Sequence, residues 1–364
     1  MCIRDSLMTT PIEPKLRDAA DTLRKMKAAV ATAVVGQNEV VDEVVFAIVA
    51  GGHALLEGAP GLGKTLLVRS LAASFDLQYS RIQFTPDLMP SDVTGTNVLV
   101  LDPEARSKGS AFTLERGPIF GNVVLADEIN RATPKTQSAL LEAMAEHAVT
   151  IAGKRHALPD PFFVLATENP IEMEGTYPLP EAQLDRFLFK VLVPNPTEDE
   201  LCEVLARTTG RDVATPPRVL GRDGLLQIRA LCRDVLVSDS VARYAARLVR
   251  ASEPTSPDAP AAVKRGIRFG AGVRGAQSLV LGAKAVALSE ARGHIGFADI
   301  ARVALPALRH RLVRSFEAEA DGVTTDAIVE VLLREIPERP KSVAAEVRSC
   351  CLLYTSDAAD ERSS

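Results

Sequence analysis

The stretch His53-Ala-Leu-Leu-Glu-Gly-Ala-Pro-Gly-Leu-Gly-Lys-Thr65 decides the fold. Its first half, HALLEG, is a short apolar run suited to a buried strand, and it follows a helical run over 38–50 that Gly51-Gly52 breaks. Its second half, Gly58 to Thr65, fits G-x-x-x-x-G-K-[ST], in which glycines let backbone N–H groups wrap a polyphosphate at a helix N-terminus. Residues 65–75 (TLLVRSLAASF) read as that helix, and 78–84 (QYSRIQF) alternate as a strand, so the region is a βαβ unit. The expected nucleotide contacts are Gly58, Ala59, Pro60, Gly61, Leu62, Gly63, Lys64, Thr65 and Leu66, with Lys64 on the β/γ-phosphates and Thr65 on a Mg2+ ion.

Downstream, NVVLADE at 122–128 is a continuous apolar run, as in a strand buried on both faces, with its acids at the C-terminal end where an open parallel sheet binds ligands. Asp127 is the candidate for the Mg2+ shell and Glu128 for polarising the attacking water. By itself such a pair often only caps the next helix; downstream of a phosphate loop it reads as a Walker B motif. A further buried strand, FFVLATEN at 162–169, should lie beside the two nucleotide-binding strands. Asn169 either orients the water against the γ-phosphate or starts a turn before Pro170. Arg186 and Arg274 are the arginines chosen as phosphate sensors, because a planar guanidinium suits charge spread over phosphoryl oxygens. Arg186 pairing with Asp185 or Glu181, and Arg274 as a surface cation near Lys264, Arg265 and Arg268, stay open as alternatives.

The remaining segments fill in around this unit. Residues 12–34 read as an amphipathic helix on Leu16, Leu23, Met26, Ala29 and Val30. The Gly- and Pro-punctuated stretch from Pro86 to Gly117, with strand-like NVLVL at 97–101, reads as an insertion. A helix is expected over 136–146, a hairpin over 148–159 around Gly153-Lys154, and a fifth strand in FLFKVLV at 187–193. Beyond Pro196 helical periods dominate to about residue 340, so an α/β domain carries a helical lid.

Composition narrows the function. The 364 residues are 46% hydrophobic and 24% charged, which suits a globular protein of more than one domain. Trp is absent, aromatics are 4% and net charge is -5, so neither base-stacking platforms nor a global attraction to phosphate backbones speak for a nucleic-acid partner. The longest apolar stretch, Val44 to Leu56, is too short to span a bilayer. Cys2, Cys202, Cys232, Cys350 and Cys351 lack disulfide-framework or metal-ligand spacing, which fits a reducing cytoplasm. The five histidines show no metal-ligand spacing and receive no role. Residues 1–7 and 349–364 look like non-native tails and are set aside.

With the segments in order, the chain resembles the MoxR family of AAA+ ATPases. The likeness runs from VVGQNE at 34–39 to about residue 340 and rests on FTPDLMPSDVTG at 84–95, GPIFGNVVLADEINRATPKTQSALLEAM at 117–144 and EGTYPLPEAQLDRF at 174–187. It implies an N-terminal helix over 8–35, an AAA+ αβα sandwich with a parallel sheet over 36–195, and a smaller all-α lid over 196–345. By similarity Asn169 becomes sensor 1, Arg186 an arginine finger acting on a neighbour's ATP, and Arg274 the lid's sensor-2 arginine. Gly36 and Gln37 fall in the segment near adenine. The family more usually has GASPRG where this chain has GAGVRG around Arg274, and Gln where it has Glu168.

The resemblance implies a Mg2+-dependent ATPase forming a homo-oligomeric ring, a hexamer, that remodels a client such as a von Willebrand factor A-domain protein. Two other classes are weighed against it: a nucleotide-gated binding module with incidental hydrolysis, and a magnesium-chelatase-like subunit or nucleic-acid motor. Retained Glu128 and Arg186 speak against a dead switch, and the acidic, aromatic-poor composition speaks against the motor.

Overall fold

The computed structural model describes residues 12–100, 111–169, 175–209 and 216–339. Both expected tails lie outside these residues, as do Cys2, Cys350 and Cys351. The chain divides into two compact units: the first runs to Leu236 and takes in Leu281–His294, and the second comprises Val237–Val280 and continues from Ile295.

The first unit is built on α1 (Ile12–Ala31), α2 (Asn38–Ala50), β1 (Ala54–Glu57), α3 (Lys64–Ser74), β2 (Tyr79–Gln83), α4 (Pro90–Thr94), β3 (Gly95–Val100), β4 (Ala111–Arg116), β5 (Val123–Asp127), α5 (Pro134–Glu146), β6 (Ala148–Ile151), β7 (Lys154–Ala157), β8 (Phe163–Glu168), α6 (Glu181–Leu184), β9 (Phe189–Leu192), α7 (Glu198–Thr208) and α8 (Arg222–Asp234). Five strands form one sheet in the order β2-β5-β8-β1-β9, and every neighbouring pair is parallel. Strand β8, which ends just before Asn169, therefore lies between the strand of the phosphate loop and the strand of the acids, beside both as the sequence suggested. All five residues of β5 are buried, which is why NVVLAD shows no alternation.

Local signals explain the boundaries. Leu16, Ala19, Ala20, Leu23, Met26 and Val30 are all buried, a helical stripe that seats α1 on the domain. Helix α2 stops at Gly51, whose left-handed backbone (φ 77°) turns its N–H onto the carbonyls of Ala47 and Ile48. The insertion is a hairpin: β3 pairs antiparallel with β4, Gly95 opposite Arg116. The strand AFTLER was not expected, because Thr113, Glu115 and Arg116 dilute its apolar signal. The second hairpin, β6 with β7, turns at Gly153 as anticipated.

The compact division falls at Leu236, whereas the sequence reading begins the helical domain at 196. Helix α8 packs on α2, with Arg229 Nε donating to the Ile48 carbonyl (2.9 Å) and Arg233 Nη2 to the Ala50 carbonyl (3.3 Å). Those cross-links bind a helical segment into the α/β unit.

The second unit contains α9 (Asp239–Ala251), α10 (Ala261–Gly266), β10 (Ile267–Phe269), the start of α11 (Val273–Ser289), α12 (Phe297–Leu308), β11 (Val313–Arg314), α13 (Phe316–Ala320) and α14 (Thr325–Glu335). Its core joins Val241, Tyr244 and Leu248 of α9, Ile300 and Val303 of α12, and Ile328 and Leu332 of α14. Its described residues are helical apart from one short antiparallel pair, β10 with β11.

Candidate active site

The site lies at the C-terminal ends of β1, β5 and β8. Strand β1 runs into the loop Gly58–Gly63, and α3 opens at Lys64. Gly61 (φ 83°) and Gly63 (φ 76°) both hold left-handed backbone that an L side chain strains to adopt, which is what a loop with inward N–H groups needs. Lys64 is buried, and its ammonium donates to the carbonyl of Gly58, to that of Ala59 (3.2 Å) and to that of Glu168 (3.4 Å). Burial lowers its pKa, while the charges of Asp127, Glu128 and Glu57 oppose that shift.

The acids are held differently. Asp127 Oδ1 accepts from Thr167 Oγ1 (2.7 Å), and Oδ2 accepts from Arg81 Nη2 (2.6 Å) and Nε (3.1 Å). Thr65 Oγ1 donates to the same Oδ2 at 3.4 Å, so the hydroxyl and carboxylate expected to share a Mg2+ ion do meet. Glu128 Oε2 accepts from Gln83 Nε2 (2.9 Å) and Arg131 Nη1 (3.1 Å). Glu128 itself sits in the left-handed region (φ 56°), an uncommon conformation for a residue with a side chain. Its N–H is received by Thr167 Oγ1 at 2.8 Å, so one buried threonine fixes both acids.

Asn169, also buried, ends this strand region, and its carbonyl accepts from Asn130 Nδ2 (3.3 Å). Glu168, just before it, is mostly buried; desolvation raises its pKa, with Lys190 pulling the other way. Arg186 follows α6 and donates from Nη1 to the Leu141 carbonyl of α5 (2.8 Å). Arg274 is exposed in the first turn of α11 and belongs to the second unit.

A cavity of about 350 Å3 adjoins the phosphate loop, lined among others by Gly36, Gln37, Leu62, Leu66, Pro196 and Leu201. Gln37 Nε2 donates to the Leu62 carbonyl (2.8 Å), tying the segment before α2 to the loop. Gln37 Oε1 is buried with no hydrogen-bond partner among the described residues. The cavity's size and the apolar part of its lining suit a heteroaromatic base, with Glu200 and Arg207 adding charge to the same wall.

Sequence reasoning missed Arg81, Gln83, Arg131 and Thr167. A partial signal existed, since residues 81 and 83 alternate onto one face of a strand already recognised. Nothing in the sequence says that this strand pairs with β5 so that Gln83 stands opposite Asp127.

Comparison with known proteins gives the family. Residues 53–189 match the family described as "ATPase family associated with various cellular activities (AAA)", and residues 259–332 match the AAA lid domain. The chaperone MoxR1 of Mycobacterium tuberculosis is 38% identical over 318 residues, covering 86% of this chain and 82% of that protein. The uncharacterized protein YeaC of Bacillus subtilis is 40% identical over 304 residues, 83% of this chain and 90% of that one. A crystal structure of a protein assigned as an ATPase, from Cytophaga hutchinsonii, superposes with a TM-score of 0.82 at 39% identity, covering 89% of this chain and 97% of that one.

Proposed function

Because the chain belongs to the MoxR family of AAA+ ATPases, we propose that the cluster of Lys64, Thr65, Asp127 and Glu128 hydrolyses ATP with Mg2+ and couples turnover to remodelling of a partner protein. The observation that carries the reading is the meeting of Thr65 Oγ1 with Asp127 Oδ2, next to a buried lysine whose ammonium, among the described residues, is held by carbonyls. A hydroxyl and a carboxylate are hard oxygen donors, and few protein ligands of that kind are what Mg2+ uses beside phosphates. When bound there, the ion supplies neutralising charge at the phosphoryl oxygens.

The chain's own groups divide the remaining work. Lys64 exchanges backbone carbonyls for phosphate oxygens, and the N–H groups of the loop and the first turn of α3 receive the polyphosphate. Gln37 and Gly36 hold the base in the adjoining cavity. Glu128 takes a proton from the attacking water, oriented by Gln83 and Arg131, while Asn169 positions that water. Arg186 of a neighbouring copy stabilises charge developing on the γ-phosphate, which requires a ring, a hexamer by family resemblance, and Arg274 acts as the sensor of the lid. The client is a protein with a von Willebrand factor A domain, and the setting is the reducing cytoplasm. Among the described residues no helix is long and apolar enough to cross a membrane.

The test is phosphate release by the wild type and by Glu128→Gln, with nucleotide binding measured alongside. Binding should persist while turnover falls by about a hundredfold or more, the usual scale for a lost general base. Equal, slow turnover in both proteins would leave a nucleotide-gated binding module as the better description.

A further inference from the structure

Asp127 Oδ2, the oxygen that meets Thr65, is also the one taken by Arg81. Both Nη2 (2.6 Å) and Nε (3.1 Å) of the guanidinium donate to it, while Oδ1 is turned away and committed to Thr167. A Mg2+ ion held by Thr65 and Asp127 would draw on the same oxygen and would meet a like charge there. One of the two cations has to leave. The mobile partner is identifiable: the Arg81 side chain is 47% exposed on a long stem, whereas Asp127's is 10% exposed.

Arg81 is also joined to the catalytic acid. Its Nη2 donates to Gln83 Oε1 (2.6 Å), which turns the amide so that Nε2 donates to Glu128 Oε2 (2.9 Å). Residues 81 and 83 share a face of β2, and the register sets Arg81 opposite Leu125 and Gln83 opposite Asp127. The guanidinium thus reaches forward along the strand to both Asp127 and Gln83.

Resting on the cation reading of Thr65 and Asp127, we propose that Arg81 is a positioning residue: an exchangeable counter-ion that neutralises Asp127 before the divalent ion binds, competes with it for Oδ2, and on release frees Gln83 to re-aim Glu128. In this arrangement cation loading and alignment of the general base are one event. Asp127 is kept neutralised between turnovers by a residue from the edge strand.

A purely structural ion pair and a competing one differ in the sign of their effect on metal binding. Removing a structural pair leaves cation affinity unchanged or weaker; removing a competitor makes it tighter. The experiment titrates the full chain with Mn2+ at saturating ADP, following free Mn2+ by electron paramagnetic resonance, for the wild type, Arg81→Gln and Arg81→Lys. Arg81→Gln should bind Mn2+ about tenfold more tightly, the scale of one charge-assisted contact, and Arg81→Lys by a smaller factor. In EDTA the melting temperature of Arg81→Gln should drop below that of the wild type, and Mn2+ with ADP should close the gap. Unchanged or weaker Mn2+ binding in folded variants overturns the proposal. If Arg81→Gln does not fold, Arg81→Lys decides alone by the same sign. A wild type that binds no Mn2+ in the presence of ADP overturns the underlying cation reading as well.

Discussion

Lys64 and the pair Asp127–Glu128, proposed above to serve one reaction, are held by opposite means. The lysine is held by backbone: carbonyls of Gly58 and Ala59 in its own loop and of Glu168 in the neighbouring strand. The acids are held by side chains, Arg81 and Gln83 from β2, Thr167 from β8 and Arg131 just downstream. A backbone cradle is specified by the few residues that shape the loop, whereas a side-chain cradle needs particular residues delivered from separate strands. The two halves should therefore respond differently to substitution.

The largest effect is expected on the backbone-held side. Lys64→Ala leaves the Glu168 carbonyl its bond from the Gly58 N–H (3.4 Å), so the fold should stand, while the cation proposed to meet the phosphates is gone. Phosphate release should fall about a thousandfold with little change in melting temperature, the scale of losing a preorganised charge at a phosphoryl group. A variant that melts much earlier would show that the lysine is structural and would blur the contrast.

The side-chain-held half should break through stability as well as activity. Thr167→Val keeps the shape of a fully buried side chain but strips a donor from Asp127 Oδ1 and an acceptor from the Glu128 N–H. Two buried groups short of a partner, one of them charged, cost about 3 kcal/mol. Urea denaturation in EDTA measures it; a loss below about 1 kcal/mol would mean that Arg81 and the strand ladder suffice.

The same contrast explains what could be read from the sequence. The phosphate loop was legible because its determinants are contiguous: two glycines at positive φ, a lysine and a threonine within eight residues. The acids were legible because they end an apolar run of the right length. Their partners were not, because Arg81 is 46 residues from Asp127 and meets it only through the β2–β5 register, which no local pattern encodes. Strand β4 escaped because half of AFTLER is polar, and α8's place in the first unit rests on Arg229 and Arg233 donating to carbonyls of α2. What the sequence conceals around the acids and at α8 is a contact between distant segments.

His53 sharpens the comparison from the other end of β1. Like Lys64 it is held by backbone alone: the Val164 N–H donates to Nδ1 (2.9 Å), which leaves Nε2 as the protonated nitrogen facing the Met144 carbonyl (3.3 Å). The surrounding rings of Phe162 and His147 offer no countercharge, and burial drives its pKa from 6.5 down to about 4. The folded imidazole therefore stays neutral while the unfolded chain takes up a proton below pH 6.5. Stability from this group is complete above that pH and is lost as pH falls toward 4. Between pH 7 and pH 5 the loss is about 2 kcal/mol. His53→Asn keeps an acceptor for Val164 and a donor for Met144 without titrating, so the difference between wild type and variant in urea unfolding should shrink by that amount as pH drops. A constant difference across this range would mean that the folded histidine titrates normally, and that a backbone cradle does not by itself keep a buried base neutral.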